Sequence, residues 1–162
     1  MATLAAAACD PSGPTAVATA PVAEAAVPIL HSVRGSGQIT TSAKRHLTFE
    51  AIQLEDGSVR GSFQYQFNGN GNSRVFVEVT CMRVIGNRAW LGGVVKHSNN
   101  PAQIGLESAT AVEDNGEGGS DAPDEISLAF VPNATPGLAQ AQCDNPTLNP
   151  SLPLDGGNVQ VR

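Results

Sequence analysis

The sequence predicts an all-β domain, and three observations carry that prediction: period-two alternation of apolar residues, turn dipeptides at short intervals, and a composition poor in charge. Gly contributes 17 and Pro 11 of the 162 residues, and only 15% are charged, which suits short strands and many turns better than long charged helices. The length allows one core, built from about Ser32 onward, with a tail in front.

The elements follow in chain order. A first strand is predicted from Val33 to Ile39. In HLTFEAIQL, Leu47, Phe49 and Ala51 alternate with polar residues. In VRGSFQYQF, Val59, Phe63, Tyr65 and Phe67 fall on one side and Arg60, Ser62, Gln64 and Gln66 on the other, the pattern of a half-buried antiparallel strand. EDGS joins these two runs, and Asp56-Gly57 is a strong hairpin signal. After a loop at NGNGN (68–72), RVFVEVTCMRVI puts Val75, Val77, Val79 and Cys81 on one face, while Phe76 and Met82 predict partial cover on the other. IGNR supplies a tight turn, with Gly86-Asn87 able to take positive φ. AWLGGVVKH is apolar on both faces, and Gly92-Gly93 inside it predicts a bulge or the close approach of another backbone. IGLESATAV and EISLAFV predict two more strands, with Ile104, Leu106, Val112 and Ile126, Leu128, Phe130 as their apolar sets. A last strand covers Asn158 to Val161. About eight short antiparallel strands make a β-sandwich or a β-barrel, and periodicity leaves both open.

Residues 1–31 are a different polymer. Ala, Pro, Thr and Val dominate, and Pro11, Pro14, Pro21 and Pro28 interrupt any helix the alanines start, so a disordered, extended linker is expected. Its opening, ATLAAAACD, resembles the end of a bacterial lipoprotein signal, in which small residues precede the cysteine that is lipidated. The resemblance implies that Cys9 is that cysteine. A complete signal carries a basic start and an apolar stretch of about 7–15 residues, whereas Met1 to Ala8 is short and has no Lys or Arg, and Ala6 stands where a larger aliphatic residue is usual. The expectation is a truncated signal whose true start lies upstream. With no apolar run of about 20 residues, the membrane is reached only through lipid on Cys9.

The net charge of -6 hides an asymmetry. Eight of the nine basic residues lie between Arg34 and Lys96, beside four acids; from His97 to Val161 there are nine acids and no Lys or Arg. The cations are spread along alternating strand positions rather than gathered in a run, which argues against the phosphate neutralisation that nucleic acid binding requires.

Three cysteines remain to be placed. In an exported chain Cys9 carries lipid, leaving Cys81 and Cys143 as one even pair for a disulfide. That bridge ties the Pro-rich segment 132–153 to the sheet and closes a loop of about 62 residues, worth about 4 kcal/mol on the chain-entropy model. The alternative is a free core thiol at Cys81 and an exposed one at Cys143.

Several motifs then join into a resemblance covering about residues 32–162: a GSGQI first strand, the DGSVRGSF hairpin, CMRV followed by GNRAWLGGVV, VEDNGEG with DEISL after it, a lone late Cys, and a closing GNVQVR. Their order and spacing resemble a family of secreted bacterial domains of unknown function, similar to the post-COAP-type all-β domains of envelope and surface proteins. The resemblance implies export and a β fold, and offers no established catalysis.

VEDNGEGGSDAPDEI (residues 112–126) holds six carboxylates in 15 positions and no cation. Asp114, Asn115, Glu117, Asp121 and Asp124 could supply several of the six to eight oxygens calcium takes, but the spacing is not that of an EF-hand, and GGSDAPD is only a fragment of a calcium-binding nonapeptide repeat. The preferred reading is a solvated hairpin loop in which Asp114 and Asp124 bond to turn amides. For catalysis, a hydrolase pair at Asp114 and Glu117 is conceivable, as is convergence of His46 and His97 on Glu50 or Glu78 in a barrel mouth; His31 stands apart, and neither HExxH nor GxSxG is present. The expectation is a non-catalytic, cofactor-free domain of the cell envelope or the extracellular space that contacts an envelope protein or an extracellular polymer. A calcium- or ligand-binding barrel is the alternative. An unpaired edge strand would also allow self-assembly.

Overall fold

Alternating side chains build the sheet as the sequence predicts. The computed structural model describes residues 26–69, 72–117, 121–128 and 135–162. These form nine antiparallel strands: β1 (Ile29–Thr40), β2 (Lys44–Leu54), β3 (Val59–Asn68), β4 (Ser73–Ile85), β5 (Arg88–Ser98), β6 (Glu107–Glu113), β7 (Glu125–Ile126), β8 (Leu152–Pro153) and β9 (Gly156–Val161), with one short helix, α1 (Leu138–Asp144). Cys9 and the predicted linker up to residue 25 lie outside the described residues.

All nine strands belong to one curled, half-barrel sheet, ordered β8-β7-β6-β5-β4-β3-β2-β1-β9. Curling brings its two ends together. β8 lies at one end and β9 at the other, yet only Leu154 and Asp155 separate them in the chain. Leu154 N–H donates to the Asp124 carbonyl at 2.9 Å and Asp155 N–H to the Gln38 carbonyl at 2.8 Å, so residues 152–161 leave β7 and cross directly to β1. The concave side encloses the core, with Val33, Phe49, Phe63, Val77, Leu91 and Val159 among its buried members. Gly37 is where the crossing segment enters: a Cβ there would sit 2.6 Å from Leu154 Cδ1, so glycine lets the leucine pack directly on the β1 backbone.

A second, smaller layer covers the convex face of β4, β5 and β6, where α1 packs. The β4–β5 register shifts between Val79 and Cys81, which corrects the predicted faces there: Met82 turns into the core with Val79, and Cys81 turns outward to meet Cys143 of α1 in a disulfide with Cα atoms 6.2 Å apart. Gly92 lies beneath the helix; a Cβ there would be 2.6 Å from the Ala139 carbonyl oxygen. This is the close approach that Gly92-Gly93 predicts. Ala109, Ala111 and Trp90 complete the layer, and Trp90 Nε1 donates to the Leu148 carbonyl at 2.7 Å. The carboxylate of Glu107 accepts from Gly137 N–H (3.1 Å) and Ala139 N–H (2.8 Å), capping the first turn of α1 from across the sheet.

Four expectations change in detail. β1 starts at Ile29, inside the predicted tail, because the Pro28 carbonyl already accepts from Glu55 N–H at 3.0 Å. β6 starts only at Glu107: Gly105, at φ 86°, breaks the extended run and leaves Ile104 exposed just after a single 3₁₀ turn, Pro101–Gln103. Among the described residues of EISLAFV only the two of β7 are strand; Leu128 is exposed, and Phe130 lies outside the described residues. The helix α1 lies in the segment read as a Pro-rich connection.

Candidate functional site

The acidic stretch leaves the end of β6 and returns at β7, at the seam where the sheet's ends meet. β9 pairs with β1 on one side only. Ser32 and Arg162 exchange both backbone bonds, at 2.8 and 2.9 Å, so by strand alternation the amides of Val161 and Val159 point the other way. Two carboxylates receive them. Asp114 Oδ2 accepts from Val161 N–H at 2.9 Å and Asp124 Oδ2 from Val159 N–H at 2.6 Å.

Each aspartate uses its second oxygen to fix its own loop. Asp114 Oδ1 accepts from Gly116 N–H at 3.1 Å, and Asp124 Oδ1 from Asn115 N–H at 2.8 Å. Asn115 Nδ2 donates to the Pro123 carbonyl, and Asn87 in the β4–β5 turn donates to the Asp114 carbonyl at 2.8 Å. Glu117 Oε1 accepts from the side chains of Gln160 and Asn158 on β9. Asp121 is exposed. The predicted turn-amide bonds are therefore present, but the solvated loop is corrected: Asp124 is only 6% exposed, and its carboxylate stands where a neighbouring strand's carbonyls would be. Charge-assisted bonds to backbone amides are worth about 1.5–3 kcal/mol each, which explains how a carboxylate tolerates that burial.

The same geometry bears on the candidate chemistries. Asp114 and Glu117, the candidate hydrolase pair, both face β9 and are engaged by its amide donors. Among the described residues no group of three or more His, Cys, Asp or Glu side chains is placed to hold a metal ion. The histidines do not converge in the mouth. His46 pairs with Gln38 and Gln66, and His97 with Phe76, whose ring it contacts at 5.7 Å. Both project from the convex face: His46 because Leu47 beside it points inward, and His97 because the β4–β5 register shift between Phe76 and Val77 sets it opposite the outward Phe76. Inside, Tyr65 has its hydroxyl pKa raised above the phenol range by burial.

One opening in the sheet has no counterpart in the sequence reading. β3 and β4 pair from Phe67–Ser73 to Ser62–Glu78 and then stop. Beyond that point Val59 to Gly61 remain with β2, while Val79 to Ile85 remain with β5. A cleft of about 560 Å³ lies there, lined by Leu30, His31, Val59, Met82, Arg83 and Val84, with Cys143 and Asp144 of α1 at its back. Only the unequal length was legible, with 13 residues in β4 against ten in β3; the parting of two strands that both continue past Ser62–Glu78 was not. Compared with protein-family models, with curated proteins and with solved structures, the chain matches none of them.

Proposed function

We propose that the protein is an exported, non-catalytic interaction domain of the cell envelope or extracellular space, with Cys9 as the site of a lipid tether. The observation that carries this reading is the Cys81–Cys143 disulfide, buried at both ends and clipping the outer layer onto the sheet. Such structural bridges persist in oxidising compartments and are rare where thiols are kept reduced. The engagement of Asp114, Glu117 and Asp124 in closing the seam supports a structural role for the acidic stretch over an acid–base one. The sequence resemblance to secreted envelope domains points the same way.

Cysteine mapping tests it. Thiols are trapped at lysis in the producing cell, and the fractions are compared before and after reduction. Cys81 and Cys143 are expected to resist alkylation until reduced and to be found outside the cytoplasm, with Cys9 carrying acyl mass. Both thiols free in the cytosolic fraction would sink the reading.

A further inference from the structure

We propose that the cleft between β3 and β4 is a docking slot for one extended segment of a partner polypeptide, paired through its main chain to β4 and carrying a carboxylate for Arg83. The main chain supplies the first reason. Gly86-Asn87 forms a two-residue turn, so Ile85 and Arg88 are the hydrogen-bonded pair beside it. Bonding direction alternates along a strand. Arg83 and Cys81 therefore also bond toward β5, and Met82 and Val84 present their N–H and C=O groups to the other side. Pairing with β3 has already ended at Glu78, so this edge faces the cleft.

The walls supply the second reason. β3 borders one side and β4 the other, so the opening is framed by two strand edges and suits a chain that is itself a strand, spaced about 4.8 Å from its neighbour. A folded surface or the rigid edge of a second copy does not enter such a slot. Val59, Met82 and Val84 give it an apolar lining. Four of the six large aliphatic side chains left exposed among the described residues, Val27, Ile29, Leu30 and Ile85, belong to this same end of the sheet. Exposed aliphatics beside an open strand edge are the combination that strand addition uses.

Charge specifies the occupant. Arg83 is exposed on the cleft and forms no ion pair among the described residues. The one acid in the lining, Asp144, is held by Gln140 Nε2 at 2.8 Å. The complementary ligand is an extended peptide with aliphatic residues at alternate positions and an Asp or Glu between them.

The slot deepens the reading of the fold as an interaction domain and rests on it. Cysteine mapping tests export and peptide selection tests the slot, so each can fail alone. Displayed random heptapeptides are selected against the full chain, and the winners are synthesised and titrated while amide exchange is followed. The expected winners alternate aliphatic residues around an acid, bind saturably, and slow exchange at Met82 and Val84 at least tenfold. N-methylation of their alternate amides abolishes binding, and Arg83→Glu weakens it about tenfold and shifts preference to a Lys-bearing version. Selection that yields no binder, or binders that leave the Met82 and Val84 amides unprotected, overturns the proposal. Exchange on the unmodified protein keeps the test independent of whether the Arg83 variant folds.

Discussion

Apart from the β3–β4 opening, strands β2 to β5 are held on both sides by backbone ladders, whereas at the seam β9 is held on one side by a ladder and on the other by two aspartates. The first arrangement spreads stabilisation over many neutral bonds of about 1 kcal/mol net each, and no single side chain can remove it. The second concentrates closure in a few charge-assisted bonds that one substitution deletes. A curled sheet too short of strands to close by pairing can thus close by side chains, at the cost of a localised weak point.

The largest expected effect comes from the clip between β4 and the outer layer. Replacing Cys81 and Cys143 together by Ser removes a 62-residue link and is expected to cost about 4 kcal/mol, read by urea denaturation. A loss under about 1 kcal/mol would show that Trp90 and the Glu107 cap hold the outer layer unaided. Asp124→Ala comes next. It orphans the amides of Val159 and Asn115, and a loss of about 3 kcal/mol is expected. Exchange should accelerate at Val159 and Val161 beyond what the global loss explains, while the amides paired between β3 and β4, from Ser62–Glu78 to Phe67–Ser73, follow global unfolding; uniform acceleration would erase the distinction between ladder and seam. Asp114→Ala, at a half-buried position near the end of β9, should cost about 1.5 kcal/mol with the same local signature.

Asp56 marks the ladder side, in the β2–β3 turn. Hydrogen bonds from the Ser58 side chain and backbone hold its carboxyl below the usual range. A depressed carboxylate stabilises the fold above its unfolded value of about 4, and that contribution is lost as pH falls through the folded value. The stability difference between wild type and Asp56→Ala should therefore be small, flat at neutral pH, and vanish on acidification; a difference that grows toward low pH would contradict it. Smallest of all is the effect of calcium. With the seam carboxylates already accepting amide protons, added calcium or a chelator should leave the melting temperature unchanged, and an upward shift with calcium would mean that the loop rearranges to bind it.

Hairpins were the most legible part of the chain. Asp56-Gly57 and Gly86-Asn87 announce their turns, and alternation assigns the inward face from Leu47 to Val79, because both signals are local; the bulge before Cys81, which exchanges Cys81 and Met82 between the faces, was not legible. The seam was half legible. Six carboxylates mark a special loop, but nothing near Asp114 or Asp124 in sequence shows that their partners are Val159 and Val161, more than thirty positions away. Helix α1 was hidden for a related reason: LAQAQCD is short and lies in a Pro-rich stretch, and its stabilisation comes from Glu107, Gly92 and Cys81 on distant strands. Whatever depends on which strands meet after curling escapes a reading of local pattern.

The Ser32–Arg162 pair carries a mechanical consequence. It places the beginning of β1 and the end of β9 side by side, so tension applied between those two points opens rungs one after another, as in a zipper, instead of loading them in parallel. A chain pulled from those two points would begin to peel at this corner, while the strands from β2 to β5 stayed folded.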